Sequence, residues 1–244
     1  MIPKIIHYCW FGKRDFPKLV KKCMRSWDKF CPDYEIVRWD ETNFSIDLFS
    51  YTREAYDVEK FAFVADVARL YALYNHGGIY LDTDMELIKP IDNLLTNHGF
   101  SGFESNDFIS AGIIGAEKGI FWIEDLLMSY EDDHFKKDVN TLDLTTIVHR
   151  ITEISKNKYG ALLNGAKQKI KYDVELFPVD FFYPKNFRTK KTHITENTYA
   201  IHHFSMSWKT SQQKIKDNLL WMLKNNIGEK NFLNIKKIIK HLVF

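Results

Sequence analysis

The stretch Gly77-Gly78-Ile79-Tyr80-Leu81-Asp82-Thr83-Asp84 joins a glycine break, a short apolar strand and two carboxylates. Glycine ends helices readily, and the apolar residues that follow favour a buried strand. Side chains two residues apart on an extended backbone point to one face, so Asp82 and Asp84 are expected to converge. We therefore predict two negative charges close together at the carboxyl end of a strand.

Two converging carboxylates are costly unless something positive lies between them. Hard oxygen ligands suit manganese or magnesium, and these ions usually bind substrate phosphates as well. The carboxyl ends of strands are also where open α/β sheets bind their ligands. A solvated turn is the alternative, because Asp-x-Asp is common by chance. The pattern favours a site for a metal-chelated, phosphate-bearing substrate.

Length and composition fit a cytoplasmic protein of one domain. The chain has 244 residues, a formal net charge of +2 and three cysteines without metal-type spacing. The near-neutral charge argues against a dedicated nucleic-acid binder, and the odd cysteine count fits reduced thiols. Lys4 and His7 interrupt the amino-terminal apolar run, so we predict no signal peptide. No stretch has the apolar length of a membrane span.

Apolar periodicity predicts a strand–helix–strand unit at the start of the chain, which implies parallel strands. A strong helix is predicted at 59–75, directly before the glycine break. We expect one α/β domain over residues 1–210, extended by a helical carboxyl-terminal segment, 211–244. The predicted strands are 4–10, 34–39, 79–81, 85–88, 100–104, 108–116, 174–177 and 199–204, and the other helices are 17–30, 119–130, 143–156 and two pieces after 212.

Asp66 and Arg69 lie three residues apart on the helix predicted at 59–75, so they share one face. Their neighbours are apolar nearly all round, which is typical of a buried helix. Charges in such a place must be paired or bound to something. An intrahelical ion pair is one interpretation. We favour a ligand role for both, because arginine donates several fixed hydrogen bonds to phosphates or sugar hydroxyls.

A second polar cluster follows the last predicted strand. His202 and His203 are adjacent there, and Ser207 and Trp208 come soon after. One imidazole could complete a metal shell, while the hydroxyl and the indole N–H could donate to a phosphate. The alternative is an ordinary loop around a buried tryptophan.

Three motifs occur in order along the chain. They are Ile2-Pro3-Lys4-Ile5-Ile6-His7-Tyr8-Cys9-Trp10-Phe11-Gly12, then Ala65-Asp66-Val67-Ala68-Arg69 with the Gly77–Asp84 stretch, and then His202-His203-Phe204-Ser205-Met206-Ser207-Trp208. Together they resemble glycosyltransferase family 32, which includes bacterial capsule and lipopolysaccharide sugar transferases and yeast Golgi mannosyltransferases. The large clostridial glucosylating toxins share a related arrangement. The resemblance implies a GT-A fold, which is a Rossmann-like α/β domain with a mixed, mostly parallel sheet flanked by helices.

The resemblance also implies a nucleotide-sugar donor, with UDP-hexose favoured, and a retaining transfer that uses Mn²⁺, with Mg²⁺ as an alternative. The implied catalytic residues are Asp82, Asp84, Arg69 and Asp66, and the implied metal ligands are Asp82, Asp84 and His203. The implied donor contacts are His7, Tyr8, Trp10, Phe11 and Gly12 for the base, Asp66, Arg69 and Asp82 for the sugar, Ser110 and Ala111 beneath it, and Ser207 and Trp208 for the diphosphate. Ser110 stands where related enzymes have asparagine.

These features predict transfer of a hexose to a saccharide or lipid-linked saccharide acceptor in bacterial surface-polysaccharide synthesis. Retention needs no strong general base, whereas inversion needs a carboxylate, for which Glu104, Asp107 and Asp143 are candidates. One alternative is a non-catalytic relic that binds sugar nucleotides. Another is a sugar nucleotidyltransferase, although residues 11–14 are too short for the glycine-rich loop it needs. The donor base, the donor sugar and the acceptor stay open, and GDP-mannose is among the candidates.

Residues 230–244 alternate apolar side chains with lysines. Such a helix can lie on an anionic membrane, near a lipid-linked acceptor. It can equally pack on its own domain or on a second copy. We expect a cytoplasmic protein, with the inner face of the plasma membrane as the alternative location.

Overall fold

The computed structural model describes residues 1–138, 141–187 and 189–205. Within it, Met1–Phe204 form one compact unit. No helix in the described part of the chain is both long and apolar enough to cross a membrane. Ser207, Trp208, the helical segment 211–244 and its membrane contact at 230–244 lie outside the described residues and stay predictions.

The unit starts as strand–helix–strand, and later strands and helices also occur in uninterrupted runs. The strands are β1 (Ile5–Cys9), β2 (Glu35–Trp39), β3 (Gly78–Leu81), β4 (Met85–Leu87), β5 (Gly99–Ser105), β6 (Phe108–Ile109), β7 (Ile113–Ala116), β8 (Gln168–Ile170), β9 (Val174–Phe177) and β10 (Ala200–His202). The helices are α1 (Lys18–Phe30), α2 (Ser50–Asp57), α3 (Phe61–His76), α4 (Phe121–Met128), α5 (Ile147–Tyr159) and α6 (Val179–Phe182).

The main sheet is mixed, with the strand order β2-β1-β3-β7-β5-β9-β8 and with β6 paired to β5. β1 pairs in parallel with both β2 and β3, and β5 pairs in parallel with β9. β7 runs antiparallel between β3 and β5. The predicted mixed α/β sheet with flanking helices is confirmed, and so is the parallel β1–β2 pair.

The chain leaves β1 on one side to form β2 and returns on the other side to form β3. The strand order therefore reverses between β1 and β3. In open α/β sheets such a switch point opens a crevice at the carboxyl ends of the two strands. The end of β3 leads directly into Asp82, which places the carboxylate pair at this crevice.

Two apolar clusters cover the two faces of the main sheet. The first contains the buried face of α3 and residues of α4 and α5, including Trp122 and Ile151. The second contains Trp27 of α1, Phe182 of α6 and the buried residues of β4. A small sheet, in which β10 pairs antiparallel with β4, belongs to this second layer.

The two glycines of the break have different roles: Gly77 adopts a backbone conformation that favours glycine, and Gly78 allows a close approach to β1. α3 ends at His76, and Gly77 follows with φ 66°, a left-handed value that favours glycine. A Cβ on Gly78 would lie 2.7 Å from the Ile5 carbonyl oxygen. The predicted turn from helix to strand is confirmed, and the two glycines also let β3 start directly against β1.

The strand predicted at 108–116 is in fact two strands, β6 and β7. Ser110, Ala111 and Gly112 leave the strand geometry between them and turn toward the end of β3, where the Gly112 carbonyl accepts from the Asp82 amide at 2.8 Å. β8 and α6 are absent from the sequence prediction, because each has too few residues for an apolar periodicity to be recognised.

Candidate active site

Asp82 and Asp84 converge because of a turn, which corrects the expectation of an extended backbone. The Met85 amide donates to the Asp82 carbonyl at 2.9 Å, so the chain reverses between β3 and β4. Asp84 is buried, and about a quarter of the Asp82 side chain is exposed, at 26%. The turn therefore presents one covered and one accessible carboxylate at the switch point.

His202 completes a three-residue cluster with this pair. Its Nε2 lies 3.1 Å from Asp84 Oδ1 and 3.8 Å from Asp82 Oδ2. One ligand atom from each residue lies within 4.8 Å of the other two. Burial alone would lower the pKa of His202, but the charges of Asp84, Asp82 and Glu104 raise it above its ordinary value.

The donor set fits a divalent cation. Two carboxylates and one imidazole are ligands that manganese, magnesium or a similar ion accepts. The neighbouring Gly112 keeps the space open, because a Cβ there would lie 3.1 Å from Asp82 Oδ2 and 3.7 Å from His202 Cε1. These three residues could therefore hold a metal ion.

His203, the predicted third ligand, lies elsewhere. Its Nε2 contacts Glu86 Oε2 at 2.7 Å, and its Nδ1 lies 3.4 Å from the Lys185 ammonium. Neighbouring residues at a strand end face opposite sides, and β10 pairs His202 with Met85 at the turn. The structure therefore moves the imidazole of the cluster from His203 to His202.

Arg69 links α3 to the same site. Its guanidinium donates to Asp66 Oδ1 at 2.9 Å and to the Ala111 carbonyl at 2.8 Å, and it lies 3.2 Å from Asp82 Oδ1. Burial alone would lower the pKa of Arg69, but Tyr80, Asp82 and Asp66 raise it above its usual value. Arg69 is therefore a buried, permanently charged link between two carboxylates.

Asp66 connects Arg69 to the start of α5. Its second carboxylate oxygen accepts from the Ile147 amide at 3.4 Å, at the start of α5. Burial raises the pKa of Asp66 to about 6, against the opposing effect of Arg69. The ion pair is therefore present and also reaches the carboxylate cluster, while the ligand role of Asp66 and Arg69 stays a prediction.

Two tyrosines that sequence reasoning missed orient the site. The Tyr80 hydroxyl donates to Asp82 Oδ1 at 3.0 Å, and its ring lies under the Arg69 guanidinium at 4.5 Å. The Tyr183 hydroxyl accepts from the Ile113 amide at 3.1 Å, and its ring contacts His202. Tyr80 had a signal, because it lies two residues before Asp82 on the same strand, whereas Tyr183 had none.

Ser110 and Ala111 contribute through their positions in the bend before β7. The Ser110 hydroxyl accepts from the Gly112 amide at 3.3 Å, and the Ala111 carbonyl accepts from Arg69. Both residues are buried. The structure thus brings them to the cluster as predicted neighbours, while their contact with a donor sugar stays a prediction.

The five predicted base contacts separate into two groups. His7, Tyr8 and Phe11 have buried side chains that pack within the protein. Trp10 and Gly12 keep partly exposed surface at the carboxyl end of β1, next to the switch point. The Gly12 amide donates to Glu41 Oε1 at 2.7 Å. If a base binds here, only Trp10 and Gly12 offer it accessible surface.

Glu104 is the one candidate base whose surroundings connect it to the cluster. Burial raises its pKa, Ser110 and His202 lower it, and Asp82 adds a further increase. Asp107 is exposed. Asp143 pairs with Lys137 at 3.3 Å, at the wall of an open cavity of about 580 Å³ around the start of α5.

Comparisons with known proteins agree with this geometry. Residues 17–101 match the family model described as a glycosyltransferase sugar-binding region containing a DXD motif. This segment holds Asp66, Arg69, Asp82 and Asp84. The resemblance to DXD glycosyltransferases is therefore confirmed.

Similar curated proteins come from the fission yeast Schizosaccharomyces pombe. Inositol phosphoceramide mannosyltransferase 3 is 33% identical over 126 residues, which cover 48% of this chain and 34% of the relative. Inositol phosphoceramide mannosyltransferase 2 is 34% identical over 99 residues, which cover 39% of this chain and 28% of the relative. The chain thus spans about a third of the length of these relatives.

The PaToxG glycosyltransferase is a similar solved structure. It matches with a TM-score of 0.50 and 16% sequence identity, over 64% of this chain and 69% of that one. At this identity the match speaks for the fold alone. Residues 17–101 thus match the family of glycosyltransferase sugar-binding regions that contain a DXD motif, and they lie in a domain of GT-A-like fold.

Proposed function

We propose that the chain is a metal-dependent glycosyltransferase that moves a hexose from a nucleotide-sugar donor to a saccharide or lipid-linked saccharide acceptor. The observation that carries this proposal is the Asp82–Asp84–His202 cluster, joined to the buried Arg69–Asp66 pair at the switch point of the sheet. Four of these five residues fall inside the matched DXD region.

A divalent ion held by Asp82, Asp84 and His202 would neutralise the charge that develops on a diphosphate leaving group. The protein's own groups keep this site in one geometry. Arg69 and Tyr80 both bind Asp82 Oδ1, which leaves Oδ2 directed toward His202. Such preorganised groups cost no reorganisation during the reaction.

Donor and acceptor are assigned by class. UDP-hexoses remain the favoured donors from the sequence resemblance, and the names of the mannosyltransferase relatives add GDP-mannose as a first alternative. Those names specify inositol phosphoceramide, a lipid, as the acceptor, which supports the lipid-linked acceptor class. A role in bacterial surface-polysaccharide synthesis rests on the resemblance of the motifs, and Mn²⁺ is the ion we would test first.

The test is a panel of UDP- and GDP-sugars, incubated with the protein and Mn²⁺ and scored for released nucleoside diphosphate. We expect one donor to be hydrolysed slowly without acceptor, and EDTA to stop the reaction. Tight binding of a donor without any turnover would instead favour the non-catalytic relic.

The stereochemistry separates two mechanisms. Retention leaves Glu104 without a role as a base, whereas inversion makes it the strongest of the three candidates because of its link to His202. We propose retention. Proton NMR of the fresh product decides the question, since a β-linked product from an α-linked donor would exclude retention.

A further inference from the structure

Two lysines lie on a turn that contacts His203 and Phe204, the two residues that follow His202. Lys185 pairs with Thr192 in an isolated bridge, and the Asn186 amide donates to the Lys191 carbonyl at 2.8 Å. The Lys190 amide donates back to the Asn186 carbonyl at 2.9 Å. These bonds bring Lys185 and Lys190 to the same turn.

His203 holds Lys185 in place. The Lys185 ammonium lies 3.4 Å from His203 Nδ1, and because an ammonium has no acceptor, it must donate to this nitrogen. The His203 Nε2–H then donates to Glu86 Oε2 at 2.7 Å, which Lys22 also contacts. With both ring nitrogens engaged, His203 positions a lysine rather than a metal.

The turn also touches the cluster through aromatic rings. The Lys190 ammonium lies over the Phe187 ring, 4.6 Å from its centre. Phe187 packs on Phe204 at 5.4 Å, and Phe204 packs on the His202 ring at 4.2 Å. The His203 amide in turn donates to the Asp84 carbonyl at 3.0 Å. Both lysines are therefore tied to residues that adjoin Asp84.

Both ammonium groups lack a carboxylate partner among the residues that the structure describes. Within residues 1–138, 141–187 and 189–205, no carboxylate lies within ion-pair distance of either ammonium. Burial and the neighbouring charge of Lys185 both lower the pKa of Lys190. Two like charges held together beside a site for phosphates favour an anion between them.

We propose that Lys185 and Lys190 bind the diphosphate of the nucleotide-sugar donor, with His203 as the residue that positions Lys185. This inference rests on the proposed function for the identity of the anion. A diphosphate offers several charged oxygens, so it can contact a metal held by Asp82, Asp84 and His202 on one side and the lysine pair on the other.

Binding of inorganic pyrophosphate, measured by calorimetry with Mg²⁺ present, tests the proposal without any need for turnover. Lys185→Gln keeps a flexible polar side chain but removes the charge, and we expect it to weaken binding about tenfold or more. Lys190→Gln should weaken binding severalfold, and Lys185→Arg should retain most of it. Lys191→Gln, an exposed lysine on the same turn, is the matched control and should bind as the wild type does.

His203→Gln tests the positioning role. It should weaken pyrophosphate binding severalfold while the affinity for Mn²⁺ stays unchanged, which a general loss of structure would not produce. Thermal melting of each variant shows whether it is folded. Equal pyrophosphate affinity in wild type, Lys185→Gln and Lys191→Gln overturns the proposal, and so does a wild-type protein that binds no pyrophosphate.

The two proposals fail separately. If no sugar nucleotide is turned over but Lys185→Gln still loses pyrophosphate affinity, the lysine site stands and the transferase assignment falls. If a donor is hydrolysed with the same KM by wild type and by Lys185→Gln, the transferase assignment stands and the lysine site falls.

Discussion

His7 and His202 are both held inside the protein, yet their surroundings give them opposite properties. His7 lies in β1 and uses both ring nitrogens within the core: Nε2 contacts the Gly77 carbonyl at 2.8 Å, and Nδ1 accepts from the Trp39 indole at 3.1 Å. His202 faces two carboxylates through Nε2, while its buried Nδ1 has no hydrogen-bond partner among the described residues.

The difference in surroundings appears in their pKa values. Burial lowers the pKa of His7 to about 4, so His7 is neutral at physiological pH. The carboxylates around His202 outweigh its burial and raise its pKa. A buried histidine is thus not in itself a sign of a site. The two carboxylates that converge next to His202 are the more informative feature.

The largest expected effect comes from Asp84, the carboxylate nearest to His202. Asp84→Asn keeps the shape of the side chain but removes the charge that a metal requires. We expect metal-dependent donor turnover to fall by about a thousandfold, which corresponds to several kcal/mol of lost charge stabilisation. The melting temperature should change little. Asp132→Asn, at an exposed aspartate to which no role is assigned, is the control, and near-normal turnover in Asp84→Asn would remove Asp84 from the metal site.

The second prediction compares turnover in variants of the two adjacent histidines. His202→Gln should lower turnover at fixed Mn²⁺ by about a hundredfold, and part of the loss should return at higher Mn²⁺, because a metal ligand is removed. His203→Gln should show no such dependence on Mn²⁺ and should raise KM instead. If added Mn²⁺ rescued His203→Gln and not His202→Gln, His203 would be the metal ligand, as the sequence predicted.

The third prediction concerns the contribution of His7, the histidine in the core, to stability. His7→Phe keeps a ring in β1 but leaves the Gly77 carbonyl and the Trp39 indole without their partner. Leaving buried polar groups unpaired costs about 2 kcal/mol of unfolding free energy. Chemical denaturation measures this cost, and turnover per folded molecule should stay at the wild-type level. Lost activity without lost stability would place His7 in the site rather than in the core.

The effect that is smallest at neutral pH is the pH dependence of the same histidine. Above pH 6.5 both the folded and the unfolded state hold a neutral His7. Below it the unfolded chain takes up a proton, while folded His7 does so only near pH 4. His7 thus makes wild type less stable as pH falls from 6.5 to 4, by at most about 1.4 kcal/mol per pH unit. The deficit of His7→Phe should shrink over this window, and a constant deficit would contradict the lowered pKa.

The sequence predicted the parts of the site that local rules control. The glycine break, the apolar strand β3 and the carboxylates that follow it lie close together in the chain, so strand patterning suffices to place the carboxylates after β3, although not the turn that makes them converge. Asp66 and Arg69 could be found because charges on an apolar helix demand partners. The parallel β1–β2 pair followed from the strand–helix–strand order.

The features that the sequence did not predict depend on long-range strand register and packing. The choice between His202 and His203 depends on how β10 pairs with β4, and a shift of one residue would exchange their faces. The burial of Tyr8 and Phe11 depends on packing against α1 and the segment before α2, which a strand's own sequence does not show. Tyr183 contacts His202, and Lys185 contacts His203, from a segment without a periodic pattern, so no local signal pointed to either residue.

The central claim is that Asp82, Asp84 and His202 form one metal site, and direct Mn²⁺ binding tests it most closely. Electron paramagnetic resonance titration of Mn²⁺ into the wild-type protein should show one site. That site should be lost in the Asp82→Asn/Asp84→Asn double variant and weakened in His202→Gln, while His203→Gln should bind as the wild type does. Undiminished Mn²⁺ binding in the double variant would contradict the account.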